Sequence, residues 1–542
     1  MQRPISSICA RSKVKRYPVL AVALCALGVD VPAFAADPAP SPASAEPVFA
    51  IKHLQVSGNT LLGQADIDVL LSGHLGDSRR FADVEAARQA LEGRYLELGY
   101  STVRVVLPEQ EISAGTIRLQ VQEMKLGTVE LVAARHHDLD NVRASLPGLV
   151  DGAVPNTTAL AESLRLANEN PSKQTHLLFK PDPAGQRVDA LLRLEDEKPW
   201  KTFITADNTG TSQTGRTRIG IGYQHANLFN RDHVGTVQYI TSAEKPSDVS
   251  IVGFGYRLPL YGLTDAIDLY GGYSDVNSGN LAGLFNVSGK GTIVGARYSH
   301  YFTQTSAFEH KLSAGLDHRA YQNDIDASGT QLGTDVTVHP VNLTWSTLWK
   351  GDTGQVGGYA SWFLNLTGGS NGHDSDFNAA RLGARADYQL FRFGGSASRQ
   401  FAGDWQLRLA FDAQYTREPL ISGEQFGIGG QDSVRGFAER EVNGDRGWRS
   451  GLEVYTPDLG GLTGIGDARL RFSAFVEGGK VRRIEALPSE VHNERIASTG
   501  LGLRFGIGKA LSIRLDYGHV LNGGGDTEKN HGNWHGSVAY VF

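Results

Sequence analysis

The chain has 542 residues, which is too long for one ordinary domain and predicts two or three folded units. When the predicted secretory signal at 1–35 is left out, the chain has 47 Lys and Arg residues and 57 Asp and Glu residues. This net charge of about −10 argues against a general nucleic-acid binder. Both cysteines, Cys9 and Cys25, lie in that signal, so we expect neither disulfide nor thiol chemistry in the mature chain.

The first 47 residues have the features of an export signal followed by a linker. Five basic residues between positions 3 and 16 precede the apolar run 17–29, and an Ala-x-Ala cleavage site lies at 33–35. The apolar run is too short to span the hydrocarbon of a bilayer, so it predicts a cleaved signal peptide rather than a membrane anchor. The Pro/Ala/Ser-rich segment 36–47 is expected to be extended and mobile.

Between residues 48 and 198, one order of predicted elements occurs twice. In the first unit, 48–124, the second helix begins near Asp83, the expected N-cap, and closes at Gly99. Its last two strands are predicted at 101–107 and 116–121. The second unit, 125–198, is predicted to have a strand at 127–133, helices at 138–146 and 156–169, and strands at 174–180 and 187–195. Both units therefore read as β-α-α-β-β domains, an internal repeat of architecture.

After residue 198 helical periodicity ends and alternation begins. Apolar residues occupy every second position of 405–415 and 511–517, with mainly Gln, Arg, Ser and Asp between them. A soluble β-sandwich turns such a polar face to the outside water, whereas a membrane barrel turns it to the lumen. The mean hydropathy of −0.25 fits a barrel, because its strands alternate polar and apolar residues.

The lengths of the connections separate these two cases. We count 16 strands within 199–542, and short links at 229–232, 351–353 and 506–508 alternate with long ones at 275–289, 319–335, 366–379, 417–445 and 481–495. Short periplasmic turns and long external loops are typical of outer-membrane barrels. The sequence thus predicts a transmembrane β-barrel of about 16 antiparallel strands, preceded by two small α+β domains.

The last predicted strand ends in a cluster of aromatic and apolar residues on one face. These residues are Trp534, Val538, Tyr540 and Phe542. Together with the alternation and the export signal, this face predicts an assembly signal for the machinery that inserts barrels into the outer membrane.

Several motifs together resemble the outer-membrane transporters of two-partner secretion, the haemolysin-activator and haemagglutinin-exporter family. They are Val-Ser-Gly-Asn-Thr at 56–60, Gly99-Tyr100, Leu-Pro-Glu-Gln-Glu-Ile at 107–112, Asn-Leu-Phe at 227–229, and the segment 425–437. The resemblance covers nearly the whole mature chain. It implies two periplasmic POTRA docking domains, a 16-stranded barrel in the outer membrane, and export of a large unfolded exoprotein of the TpsA type.

The most specific motif resembles the tip of the sixth external loop, which in this family folds back into the pore. It consists of Val434, Arg435, Gly436 and Phe437, and our strand count places it between strands 11 and 12. The family's inner-wall motif is Phe-x-Asp-x-Gly, and here it reads Phe475, Glu477 and Gly479, with Glu in place of Asp. Some members also carry a helix that plugs the pore, whereas only a proline-rich linker precedes the first docking domain here.

Strand parity predicts an ion pair between these two motifs. If Phe472, Ala474 and Val476 face lipid, then Phe475 and Glu477 face the lumen. A loop of 28 residues or more is long enough for Arg435 to reach them, and an arginine fork can bind a carboxylate through two hydrogen bonds. We therefore predict an Arg435–Glu477 pair that holds the loop tip against the barrel wall.

Cargo docking is expected at an exposed sheet edge, where an extended peptide can add as a further strand. The candidate edges are Ser101, Thr102, Val103, Arg104, Val105, Val106 and Leu107 in the first unit, and Thr175, His176, Leu177, Leu178, Phe179 and Lys180 in the second. An ordinary solvated edge is the equally weighted alternative for each.

The sequence offers little support for catalysis, a metal or a cofactor. His531 and His535 are four residues apart but lie in an Asn/Gly-rich loop, and no H-E-x-x-H or G-x-S-x-G motif is present. The expected partners are the exoprotein, outer-membrane lipid and the barrel-assembly machinery, without nucleic acid, and the resemblance implies export without nucleotide hydrolysis. The alternatives are a barrel-assembly insertase of the same superfamily and a passive porin.

Overall fold

The computed structural model describes residues 47–111, 114–182, 186–276, 279–281, 285–287, 290–302, 307–322, 326–327, 330–331, 334–488 and 490–542. The predicted signal peptide, the linker up to residue 46, and Ile112 lie outside the described residues. The described chain forms two small α+β units, called unit 1 and unit 2, followed by a closed barrel.

Unit 1 packs two helices against a three-stranded sheet. Its elements are β1 (Phe49–Ile51), β2 (His53–Ser57), α1 (Gln64–Leu71), a 3-10 turn (Ser72–His74), β3 (Gly76–Arg79), α2 (Phe81–Glu97), β4 (Arg104–Val106) and β5 (Thr116–Gln122). The sheet order is β2-β5-β4, with β2 parallel and β4 antiparallel to β5. The prediction of Asp83 as the N-cap is wrong. Asp83 lies in the first turn, where its carboxylate accepts a hydrogen bond from the Arg80 amide at 2.8 Å.

Unit 2 repeats this architecture. Its elements are β6 (Lys125–Val132), α3 (Leu139–Ala144), α4 (Thr157–Ala167), β7 (Lys173–Pro181) and β8 (Arg187–Asp196). The sheet order is β6-β8-β7, with the same pattern of one parallel and one antiparallel pairing. Asp138 and Asn156 cap the two helices, because their side chains accept hydrogen bonds from backbone amides three residues later. The predicted internal repeat is confirmed at the level of topology.

The rest of the chain forms a closed antiparallel barrel in which β30 pairs with β9. The strands in chain order are β9 (Trp200–Asp207), β10 (Arg218–Leu228), β11 (His233–Ser242), β12 (Ile251–Leu260), β13 (Asp265–Ser274), β14 (Gly279–Leu281), β15 (Phe285–Val287), β16 (Gly291–Tyr301), β17 (Phe308–Tyr321), β18 (Asp326–Ala327), β19 (Thr330–Gln331), β20 (Val336–Gly351), β21 (Gly354–Leu366), β22 (Gln389–Gln400), β23 (Gln406–Thr416), β24 (Phe426–Ile428), β25 (Val442–Gly444), β26 (Arg446–Tyr455), β27 (Ala468–Arg482), β28 (Asn493–Ile507), β29 (Leu511–Asn522) and β30 (Gly532–Val541). The pairs β14-β15, β18-β19 and β24-β25 are hairpins within loops, and the other sixteen strands close the barrel. The predicted fold class is thus confirmed.

Side-chain exposure follows the alternation of the sequence. On β27, Phe472 and Val476 are exposed on the outer surface, whereas Ser473 and Phe475 between them are buried. The predicted parity of this strand is therefore confirmed. Large apolar side chains form an outward-facing belt, and many of the side chains that line the lumen are polar, which is the arrangement typical of a barrel in a bilayer.

The external connections differ in detail from their predicted bounds. The long connection predicted at 366–379 runs to residue 388 and contains the helix α5 (Asp374–Ala380), which the sequence analysis did not predict. We call residues 367–388 loop 5 and residues 417–445 loop 6, and the latter keeps its predicted bounds between β23 and β26. Within the described ranges, no helix is long and apolar enough to cross a membrane.

Candidate functional site: loop 6 in the lumen and the edges of the two units

Loop 6 turns back into the barrel and buries its tip against the inner wall. Val434, Arg435 and Phe437 are at most 2% exposed, and Arg435 is among the largest fully buried side chains of the described residues. Gly436 has φ +97°, a conformation that favours glycine. A Cβ on Gly518, in the opposing strand β29, would lie 2.5 Å from the Gly436 nitrogen. These two glycines let the backbone of the loop tip press directly on the wall.

The structure brings the two predicted partners, Arg435 and Glu477, into a two-point contact. The Nε and Nη2 atoms of Arg435 lie 3.0 and 2.5 Å from Glu477 Oε1, and the Arg435 backbone amide donates to Oε2 at 2.8 Å. The guanidinium also lies over the Phe475 ring, with its Cζ 3.4 Å from the centroid. A Cβ on Gly479 would meet the Trp448 carbonyl oxygen at 2.6 Å. Each residue of the wall motif therefore has a defined contact.

Two further carboxylates complete the surroundings of Arg435, and the sequence analysis did not identify them. Arg435 Nη1 lies 3.0 Å from both Glu453 Oε1 and Asp516 Oδ1. Arg504 binds both of these carboxylates, and Arg514 binds Asp516, with its Nε 2.7 Å from Oδ2. Three cations thus face three anions, so removal of one member leaves a buried charge without its partner. Alternation places Asp516 on the lumen face, but only the register of β26, β27 and β29 brings the three carboxylates together.

The two ends of loop 6 are bound away from its tip. Glu424, which is 1% exposed, accepts from Arg319 Nη1 at 2.9 Å and from the Tyr321 hydroxyl at 2.8 Å, and Arg392 lies at 3.6 Å. Asp445, at the end of the loop, pairs with Arg381 of loop 5. Loop 6 is therefore fixed at both ends and crosses the lumen, and a cavity of about 840 Å³ remains beside it.

The predicted edge of unit 1 is shorter than expected and its outer backbone groups are already bonded. Of the seven residues predicted there, only Arg104–Val106 form the strand β4. The Val105 N–H donates to Glu92 at 3.4 Å, and the Val105 carbonyl accepts from Arg88 at 3.1 Å. The Val103 N–H donates to the Tyr100 carbonyl at 3.2 Å in a turn. The prediction that Ser101, Thr102, Val103 and Leu107 belong to this strand is wrong, because the chain is still in a turn before Arg104 and the strand ends at Val106. Side chains from α2 also cover the edge.

The edge strand of unit 2 is longer and more open. The side chain of Asn168 binds both outward-facing backbone groups of Thr175, with its Oδ1 2.7 Å from the Thr175 nitrogen and its Nδ2 3.0 Å from the Thr175 oxygen. Because β7 pairs with β8 without a register shift, the backbone groups of Leu177 and Phe179 also point away from β8. His176, Leu178 and Lys180 are exposed. Unit 2 thus presents the edge that an added strand can reach.

The residues predicted as an assembly signal lie together on the outer surface of the barrel. Trp534, Val538, Tyr540 and Phe542 are all exposed on or directly after β30. Phe542 also donates its backbone N–H to the Thr202 carbonyl at 2.9 Å, next to the seam where the barrel closes. This placement leaves the four side chains accessible from the membrane.

Comparison with known proteins places this geometry in a family. The model of the haemolysin secretion/activation protein ShlB/FhaC/HecB matches residues 189–505, and the model of the ShlB-type POTRA domain matches residues 49–123. The outer-membrane transporter CdiB of Dickeya dadantii is 24% identical over 460 residues, covering 80% of this chain and 76% of that protein. The haemolysin transporter protein ShlB of Serratia marcescens is 26% identical over 439 residues, covering 76% and 75%. The structure of CdiB from Escherichia coli aligns with a TM-score of 0.73 at 20% identity, covering 93% of both chains.

Proposed function

Since the chain belongs to the ShlB/FhaC/HecB family of haemolysin secretion/activation proteins, we propose that it docks one large exoprotein in the periplasm and passes it, unfolded, through its own barrel. It is an outer-membrane transporter with its N-terminal units in the periplasm, and family membership favours secretion over the insertase and porin alternatives. We propose no catalytic activity for the chain. Export is proposed to proceed without nucleotide hydrolysis, because cargo that folds outside cannot return through the pore.

The observation that carries the proposal is the buried Arg435 cluster inside a closed barrel. A loop fixed at both ends sets the shape of the lumen, and the guanidinium is held by three carboxylates. We propose that Arg435 and Glu477 keep the loop tip against the wall and so maintain the conducting shape of the pore. The backbone edge of β7, centred on Leu177 and Phe179, is proposed as the docking strand for the cargo, and the edge of β4 is not.

The outer belt is proposed to contact lipid, and the exposed face of β30 is proposed to be the signal that the barrel-assembly machinery recognises. Both assignments rest on the exposure of large apolar side chains, because the contact of such a surface with water is unfavourable. Outer-membrane barrels carry such an apolar band, which fits the first of these assignments.

A co-expression experiment tests the export function. The chain is expressed together with a candidate large exoprotein from the same genome, and the exoprotein is measured in the culture medium with and without the chain. We expect secretion only when the chain is present, while the levels of unrelated outer-membrane barrels stay unchanged. Loss of those barrels in the absence of the chain would instead indicate an insertase. Secretion that is independent of the chain would overturn the proposal.

A further inference from the structure

Unit 2 meets the barrel through a buried polar contact that we call the joint. It consists of Asn141 and Lys173 from unit 2 and of Asn227, Asp232 and Tyr261 from the barrel. Lys173 Nζ lies 2.6 Å from Asp232 Oδ2 and 2.8 Å from Asn141 Oδ1, and the side chains of Lys173 and Asp232 are at most 1% exposed. The joint is therefore a charge pair shared between two parts of the chain and removed from water.

The amide of Asn141 and the hydroxyl of Tyr261 complete the joint. Asn141 Nδ2 lies 2.9 Å from Asp232 Oδ1 and 3.0 Å from Asn227 Oδ1, and the Tyr261 hydroxyl donates to Asp232 Oδ2 at 2.7 Å. Burial lowers the pKa of the Lys173 ammonium, and the neighbouring Asp232 carboxylate opposes that shift. Unit 2 thus engages both oxygens of Asp232, Oδ1 through the Asn141 amide and Oδ2 through the Lys173 ammonium.

The barrel turn that carries Asp232 has a backbone that needs outside support. Phe229, Asn230 and Asp232 have φ values of +58°, +58° and +61°, a region that residues other than glycine rarely adopt. Such conformations persist where the surroundings fix them. Here Asn141 and Lys173 supply that support from unit 2, and Asn227 Oδ1 accepts from the Asp232 amide at 3.0 Å.

Further contacts between unit 2 and the barrel restrict how far unit 2 can turn about the joint. Glu169, just after α4, lies 2.6 Å from Arg257 Nη2 on β12 and accepts from the Tyr301 hydroxyl of β16 at 2.9 Å. Asn170 Nδ2 donates to the Ala226 carbonyl at 2.6 Å. Contacts at several separate points restrict the rotation of unit 2 more than the joint alone would.

The joint is continuous with the open edge, because Lys173 is the first residue of β7. We propose that Lys173, Asn141 and Asp232 are positioning residues for export, which hold β7 at one fixed angle to the barrel entrance. An exoprotein strand added along β7 is then directed to the lumen. This inference rests on the proposed docking at β7, but the fixed orientation of unit 2 can be measured without any cargo.

The test combines a distance measurement with a secretion assay on the full chain. The mature chain has no cysteine, so Val150→Cys in unit 2 and Leu462→Cys in a periplasmic turn can carry spin labels, and both positions are exposed. In bilayers we expect one narrow distance distribution. Lys173→Met should broaden this distribution and lower secretion by about tenfold or more. Breaking a buried ion pair should shift the equilibrium between docked and released unit 2 by more than about tenfold. Lys125→Met is the matched control, because Lys125 is an exposed lysine that begins the other edge strand of the same sheet.

Further variants keep the inference open to refutation if Lys173→Met fails to fold. Asn141→Ala should broaden the distances without leaving a charge unpaired. The double variant Lys173→Met/Asp232→Asn removes both charges and should restore a narrower distribution and part of the secretion. A broad distribution in the unmodified chain would overturn the inference, and so would broadened variants that secrete normally. If the unmodified chain exports nothing, the proposed function fails while the distances still decide whether the joint is rigid.

Discussion

The tip of loop 6 and the edge strand β7 are built in opposite ways. At the tip, Arg435 is 2% exposed and three carboxylates surround it. On β7, the backbone groups of Leu177 and Phe179 face outward and Leu178 is half exposed. A buried charge must be fully matched because water cannot replace a lost partner, whereas an open strand edge remains solvated until a partner adds. The difference separates a permanent internal contact from a surface suited to transient docking.

Replacing Arg435 tests this comparison with the largest expected effect. Arg435→Ala leaves Glu453, Glu477 and Asp516 without their shared cation, and removing one partner of a buried pair costs about 3–5 kcal/mol. We expect most secretion to be lost while barrel abundance in the outer membrane holds, since the sixteen strands pair without the loop. Arg435→Lys should recover only part, because an ammonium lacks the two-point fork. Secretion blots and heat-modifiable gel mobility measure the two quantities.

Charge reversal shows whether the contact with Glu477 is direct. The single variants Arg435→Glu and Glu477→Arg should both fail in secretion and in channel recordings. The double variant should recover in part, although Glu453 and Asp516 remain suited to a cation at position 435. A fully active Arg435→Ala would remove the functional claim, whatever the reversals show.

Replacing Glu424 tests the first part of loop 6, away from the tip, and should give a smaller effect. Arg319 keeps Asp317 as a second carboxylate partner, so Glu424→Gln removes a charge but leaves hydrogen-bonding capacity. We expect a higher single-channel conductance, because the first part of the loop loosens while the Arg435 cluster holds the tip. Secretion should fall less than for Arg435→Ala. Unchanged conductance would show that this end of the loop does not limit the pore.

Proline variants in the two edge strands should have the next smaller effect, and they distinguish docking at unit 2 from docking at unit 1. Proline at Leu177 removes an outward N–H and obstructs an added strand, so secretion should fall several-fold with normal barrel levels. Proline at Val105 removes an N–H that is already bonded to Glu92, and it should therefore leave docking intact. Equal losses from both variants would show that unit 1 also docks cargo. If neither variant changes secretion, docking uses another surface.

Alternation and repeats in the sequence predicted the parts of this structure that depend on local periodicity. The parity of β27 placed Phe475 and Glu477 inward, and the second unit repeated the first. The features that the sequence did not predict depend on contacts between residues far apart in the chain. Glu453 and Asp516 join Arg435 only through the register of three barrel strands, and the covering of Val105 comes from side chains 13 and 17 residues away. The helix α5 has only seven residues, too few for a periodic pattern.

Deleting residues 38–46 should have the smallest effect, and it tests whether loop 6 alone shapes the pore. Prolines at 38, 40 and 42 remove backbone donors at alternate positions, and on this sequence ground we predict that the segment is not a plug. Loop 6, by contrast, is held inside the barrel by buried charges near its start, at Glu424, and at its tip, at Arg435. Single-channel conductance in planar bilayers should therefore stay almost unchanged, with Glu424→Gln as the comparison that does move it. A large rise in conductance after the deletion would show that the linker occupies the pore and that loop 6 is only part of the barrier.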